Sequence, residues 1–225
     1  MLNLLDNIVW HALTGAHARF AVGEGGARRY APGFSPIIGF EDLAHGDFAA
    51  IAPHCQPGER FYTDAWYGPV PDGWQIEVES TMHKMVWTGT LPDEDAALPA
   101  VPLGTGHAGQ ALELATLTRP GPFGIRTIEL GEFFGIFEGQ RLVAMAGERM
   151  QAGSLHEISG VCTHPDFQGR GLARRLMFKL IRNQMLRGET TFLHVVSSNT
   201  TALDLYRRMG FETYKISPVR VITPI

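Results

Sequence analysis

The thirteen residues from His164 to Leu176, HPDFQGRGLARRL, combine one proline, two glycines and a run of basic side chains in a way suited to holding a phosphate group. Residues 155–163, LHEISGVCT, read as a short strand rich in β-branched residues. Pro165 ends that strand, because its ring removes a ladder donor. Gly169 and Gly171 follow where the backbone must turn tightly or approach a ligand closely. Leu172, Leu176 and Leu180, with Met177 and Ile181, then fall at helical spacing, so the glycines sit on the first turn of a helix over 171–186. A helix start carries free N–H groups and the positive end of the dipole, which together attract an anion. Arg170, Arg174, Arg175, Lys179, Arg182 and Arg187 lie on this stretch with no acidic residue among them. That charge suits a phosphate-bearing ligand, and a solvated helix face is its plainer use.

Spacing separates the loops of this kind. A P-loop needs GxxxxGK followed by Ser or Thr, which is absent. The dinucleotide fingerprint GxGxxG, started at Gly169, would need Gly or Ala at 174, where Arg174 stands. Gln168-x-x-Gly171-x-Ala173 instead resembles the Arg/Gln-x-x-Gly-x-Gly/Ala signature of the GNAT superfamily of acyl-CoA-dependent N-acyltransferases. Residues 198–211, SNTTALDLYRRMGF, resemble that family's other motif, an Asn opening a helix, a Tyr seven residues on and a Gly-Phe leading into a strand. Asn199, Tyr206, Gly210 and Phe211 fall in those places. The resemblance covers residues 106–225.

It implies direct transfer of an acyl group, most simply acetyl from acetyl-CoA as co-substrate, to an amine without a metal. Val161, Cys162 and Thr163 should offer main-chain groups to the pantetheine arm and the thioester carbonyl, on a strand that splays from its neighbour. Gln168, Gly169, Arg170, Gly171, Leu172, Ala173 and Arg174 should cradle the pyrophosphate. Asn199 is either a helix N-cap or a contact to the coenzyme arm, and can be both. Tyr206 matches the position that protonates the leaving thiolate, a task a phenol with pKa near ~10 can perform. A core tyrosine is the plainer reading. Two residues compete as general base. His194 lies where some members carry a Glu, and its pKa of ~6.5 suits proton acceptance at neutral pH. Glu157 lies on the strand leading to the loop, where the family often has a carboxylate. His156-Glu157 is not the start of a zinc motif, since HExxH would require His where Gly160 stands. A base matters most for a lysine acceptor, whose amine at about pH 7.4 is roughly one part in a thousand neutral, at a cost of ~4 kcal/mol. An α-amine of pKa ~8 costs under ~1 kcal/mol, so solvent could serve. Cys162 has no His or Asp at motif spacing to activate it as a nucleophile.

These groups need elements to position them. A helix is expected over 106–118 and a further turn or two over 122–130. Strands are expected over 132–137, 142–150 and 155–163, joined by tight turns that favour antiparallel neighbours. Helix 171–186, strand 191–196, helix 200–209, strand 211–216 and a last strand at 219–222 complete the pattern. It predicts an α+β fold, a mixed, mostly antiparallel central sheet flanked by helices, with an N-terminal α/β lobe. In that lobe, Leu2, Leu5, Val9 and Ala12 are spaced for a short helix, and residues 18–22 suit a strand. Residues 41–51 read as a helix, 66–74 as an aromatic loop, and 75–86 as a strand with Ile76, Val78 and Met82 on one face. Residues 92–105, with Pro92, Pro99, Pro102 and the acidic Asp93-Glu94-Asp95, have the composition of a linker between residues 1–91 and residues 106–225. Some relatives of the GNAT superfamily carry such a first half as a degraded copy of the fold, so a lobe that caps or completes the acceptor side is expected.

At 225 residues, either one large domain or two small ones can bury a core. A net charge of −4 gives no general case for nucleic-acid binding. Cys55 and Cys162 lack metal-ligand spacing and suit a reducing, cytoplasmic setting. The N-terminus ends an apolar stretch in Ala-His-Ala but has no basic n-region, and no run approaches the ~20 residues needed to cross a bilayer. The expected partners are acetyl-CoA and an unidentified amine, without nucleic acid or membrane, and a homodimer is left open. A catalytically silent acyl-CoA-binding or regulatory module and a nucleotide-binding protein with the same loop are the alternatives.

Overall fold

A computed structural model of the chain describes residues 2–93 and 100–225. After a 3-10 turn at Leu2–Asn7 come α1 (Ile8–Thr14), β1 (Ala21–Val22), β2 (Ala27–Tyr30), β3 (Ile37–Phe40), α2 (Phe48–Ile51), β4 (Phe61–Asp64) and β5 (Trp74–Trp87). The second half holds β6 (Val101–Pro102), α3 (Ala108–Thr118), β7 (Phe133–Glu138), β8 (Arg141–Ala152) and β9 (Leu155–Thr163). It closes with α4 (Leu172–Leu186), β10 (Thr190–Val196), α5 (Thr200–Met209) and β11 (Phe211–Pro224).

The strands form one 11-stranded sheet in the order β1-β2-β3-β4-β11-β5-β10-β9-β8-β7-β6. Neighbours are antiparallel except β3 with β4 and β9 with β10. β5, from the first half of the chain, therefore lies between β10 and β11 of the second half and pairs with both. Strand periodicity sends adjacent side chains to opposite faces. Phe192 and Val86 pack with Leu5, Ile8, Val9 and Leu13 on the α1 face. Their neighbours Leu193 and Met85 join Leu176, Met177, Leu180 and Ile181 of α4 and Leu203 of α5 on the other. Ala111, Leu114 and Ala115 of α3 cover the sheet near Phe133, Met145 and Cys162.

Several sequence expectations change here. The helix expected over 41–51 shrinks to Phe48–Ile51. The Asp42 carboxylate accepts from the Ala44 and His45 amides at 2.7 and 3.1 Å, and Asp47 caps the Ala50 amide at 3.2 Å, so side chains close turns where a helix would need its own ladder. The two strands expected at 211–216 and 219–222 are one strand running through Pro218. β4 pairs in register with β11 only from Val219 onward, and beyond it the Pro218 carbonyl accepts from the Ala65 amide while its missing N–H is not called for. β2, β3 and β4 have four residues each, too few for periodicity to reveal. The acidic Glu94 and Asp95 and Pro99 of the expected linker lie outside the described residues. No described helix is long and apolar enough to cross a membrane.

Candidate active site

β9 and β10 run side by side for only three residue pairs, Leu155 with Thr190, His156 with Thr191 and Glu157 with Phe192. Beyond that point β10 continues along β5 as far as Val196 with Met82, while β9 continues along β8 as far as Thr163 with Ala144. The two strands thus part, and among the described residues Val161, Cys162 and Thr163 have no strand on their β10 side. Gly160 at φ +62 and a register shift against β8 mark the place where β9 bends away. This is the splay expected for residues 161–163. The Cys162 side chain is buried beside α3, and burial pushes its thiol up to about 12, which keeps it protonated and unreactive at neutral pH.

The glycine loop follows directly from β9. Pro165–Phe167 make one 3-10 turn, Gly169 has φ +76, and Gly171, at φ +73, starts α4 with no side chain capping the helix. A Cβ placed on Gly169 or Gly171 would meet nothing within 4 Å, so these glycines serve the backbone turn and leave an open cradle in front of the N–H groups of Leu172, Ala173 and Arg174. Gln168 Nε2 donates to the Thr163 carbonyl at 3.5 Å, tying the loop to the parted end of β9. The Arg170 and Arg174 guanidinium groups lie over Phe167 and Phe178, at 4.8 and 6.0 Å from the ring centres.

Asn199 caps α5 by accepting from the Ala202 amide at 3.1 Å. Tyr206, on the same helix, is partly buried against the cluster that also takes Leu172 and Phe167, so it shares a face of the sheet with the glycine loop. Burial pushes its phenol up to about 12.

His194 and Glu157, rivals in sequence, form one hydrogen-bonded pair, with His194 Nδ1 2.8 Å from Glu157 Oε1. Glu157 is 0 % exposed, and Arg149 grips both its oxygens, from Nε at 2.9 Å and from NH2 at 2.5 Å. Burial alone would raise the carboxyl, but the Arg149 and His194 charges and hydrogen bonds outweigh it and hold the group at about 2. A carboxylate so enclosed accepts and has nothing to donate, so Nδ1 carries the ring proton and Nε2 of a neutral ring carries the lone pair. Among the described residues Nε2 has no hydrogen-bond partner, although the side chain is only 4 % exposed. Asp64 Oδ2 lies 3.9 Å from it. Asp64 is itself held by Ser217 Oγ at 2.8 Å and by the Lys84 ammonium at 2.6 Å, and Lys84 also donates to the Leu5 carbonyl at 2.6 Å.

Sequence reasoning missed Arg149, Asp64 and Lys84. Lys84 carried a signal: it continues the face of β5 that bears Ile76, Val78 and Met82, and a charge that is buried there needs partners. Asp64 ends a strand too short to be seen. Among the described residues, Glu148, His156 and Glu189 bring metal-type ligand atoms within 4.8 Å of one another. Arg187 already reaches Glu148 at 2.6 Å and Glu189 at 2.7 Å, so a cation occupies that cluster.

The family described as FR47-like protein matches residues 133–220. The N-alpha-acetyltransferase RimI of Mycobacterium tuberculosis is 39 % identical over 57 residues, 25 % of this chain and 35 % of that protein. The [ribosomal protein bS18]-alanine N-acetyltransferase of Salmonella typhimurium is 36 % identical over 90 residues, 35 % of this chain and 60 % of that one. The chain thus spans less than two thirds of these relatives. A GCN5-related N-acetyltransferase from Kribbella flavida shares the fold, with a TM-score of 0.61 at 16 % identity over 96 % of this chain and 94 % of that one. A structure from the GNAT family of Novosphingobium aromaticivorans matches 98 % of both chains, with a TM-score of 0.86 and 32 % identity. With end-to-end similarity of that degree, a parted β9–β10 pair and a glycine turn at the mouth of the fork, the chain belongs to the GNAT superfamily of N-acetyltransferases.

Proposed function

We propose that the protein is an acetyl-CoA-dependent N-acetyltransferase acting on a primary amine by direct attack. The observation that carries this reading is the fork: the β9–β10 ladder stops at Glu157 and Phe192, with the glycine cradle at the end of β9 and His194 on β10 just past the last pair. The cradle from Gln168 to Arg174 would hold the coenzyme's diphosphate, each helix-end contact contributing ~0.3–1 kcal/mol. Main-chain donors of Val161, Cys162 and Thr163 would face the thioester oxygen, where negative charge builds as the carbonyl is attacked. The amine lone pair forms the new C–N bond, and the C–S bond breaks with its electron pair leaving on sulfur. Tyr206, kept protonated by burial, gives its phenolic proton to that thiolate. His194 Nε2 takes the proton shed by the amine, Glu157 holds the opposite ring nitrogen, and solvent then restores the tyrosine proton. Glu157 acts here by orienting His194, because both its oxygens are already engaged.

Two measurements test the reading. Acetyl-CoA at 100 times its dissociation constant should add ~2.7 kcal/mol, a rise in Tm on the order of 5–10 °C for two-state unfolding. Thiol release from acetyl-CoA should then appear with at least one member of a panel of α-amines, lysine peptides and polyamines. No thermal shift at millimolar acetyl-CoA sinks the proposal. A shift with no thiol release across the panel favours the silent acyl-CoA-binding module instead.

A further inference from the structure

We infer that Asp64 and Lys84, a buried pair from the first half of the chain, are positioning residues that set when His194 holds a proton. The inference rests on His194 being the base. In a flat sheet, β4 and β10 would stand three strand spacings apart, about 14 Å. Here the side chains of Asp64 and His194 meet at 3.9 Å, so the sheet curls over β11 and β5 to bring them together. Lys84 is the direct cross-strand partner of His194. The result is a buried row of contacts whose charges alternate once His194 is protonated: Arg149 on β8, Glu157 on β9, His194 on β10, Asp64 on β4 and Lys84 on β5. The Tyr30 hydroxyl on β2, itself 2.8 Å from His17 Nδ1, reaches the Arg149 carbonyl at 3.5 Å, and Ser217 on β11 holds the other oxygen of Asp64.

The row is incomplete when His194 is neutral. Its Nε2 lone pair then faces an acceptor oxygen 3.9 Å away and, among the described residues, is buried without a hydrogen-bond partner. The Lys84 ammonium stands 2.6 Å from that oxygen and is its charged partner while the ring is neutral. Protonation puts a positive charge 3.9 Å from the Asp64 carboxylate, within ion-pair reach of it. The site is therefore built for the imidazolium that forms when the amine gives up its proton. Lys84 opposes that state, and the balance of the two charges sets its pH. Ala65, directly after Asp64, has φ +62, a conformation few side-chain-bearing residues adopt, and its N–H is fixed to the Pro218 carbonyl at 2.9 Å. That conformation ends β4 directly after Asp64.

The test is the acid limb of kcat/KM, together with the NMR titration of the His194 ring, in Asp64→Asn and Lys84→Met of the full chain. Removing the carboxylate disfavours the imidazolium, so the limb and the ring titration should move to lower pH. Removing the ammonium should move them to higher pH, each by on the order of one pH unit. KM for acetyl-CoA should stay within about twofold, as neither residue touches the glycine loop. Shifts of opposite sign support the inference. No shift, or shifts of the same sign, overturn it. Should Asp64→Asn fail to fold, Lys84→Met alone decides, because His194 itself can then neutralise the lone carboxylate. An activity limb unchanged in His194→Gln would remove His194 as base. The ring titration would still report on Asp64 and Lys84, so the two failures are distinguishable.

Discussion

At the residue scale, burial decides which groups can do chemistry. Tyr206→Phe removes the proton donor while keeping the ring in its cluster, and kcat should fall about 10²-fold with acetyl-CoA affinity unchanged, read from initial rates and calorimetry. Two buried groups predict how acid unfolds the protein. His17 is lowered to about 4 by burial first, with Arg19 adding to the effect, so the folded state holds it neutral. Its contribution is complete above the unfolded value of about 6.5 and is lost as pH falls toward 4. Glu157, held at about 2, contributes fully above an ordinary carboxylate value of about 4.5 and loses its share as pH falls through 2. Urea midpoints measured from pH 7 to 2 should decline in those two successive windows, and His17→Asn should erase the first. Tyr206 and His194 could be named from their motif positions. Arg149 and Asp64 could not, and the signal at Lys84 did not name its partner, because a partner for a buried charge is a fact of three dimensions.

At the element scale, the glycine turn separates folding from binding. Gly171→Ala puts a Cβ on a residue at φ +73, a strain of about 1–2 kcal/mol, into space where it meets nothing within 4 Å. The variant should fold with a slightly lower Tm yet lose most of the acetyl-CoA thermal shift, since the Cβ projects into the cradle. Asn199→Ala should cost about 1 kcal/mol of stability through the lost cap on α5, measured by denaturant unfolding. Both α4 and α5 were legible because their apolar spacing, their starts and the glycine after α5 agree. The helix expected at 41–51 was misjudged because Asp42 and Asp47 satisfy backbone donors locally, a competition that apolar spacing does not register.

At the scale of the whole molecule, the two halves of the chain share one sheet. β5 is an interior strand between β10 and β11, and Val86 and Met85 on it feed the cores on opposite faces. A fragment of residues 106–225 would leave the edges of β10 and β11 unpaired and Phe192 uncovered. Far-ultraviolet circular dichroism of that fragment should show it largely unfolded, with no acetyl-CoA thermal shift. A cooperative melt for the fragment would show that the second half folds without β5.

By itself the sequence determined what is local: the glycine turn, the basic helix behind it, the capped helix bearing Tyr206, and strands long enough to display their period. These follow from φ preferences, capping and spacing, each set within a few residues. Only the tertiary structure decided that His194 and Glu157 are partners rather than rivals, and that Asp64 and Lys84 stand beside them. Those contacts join strands 20 to 130 residues apart, and they arise from sheet order and curl, which no local preference encodes.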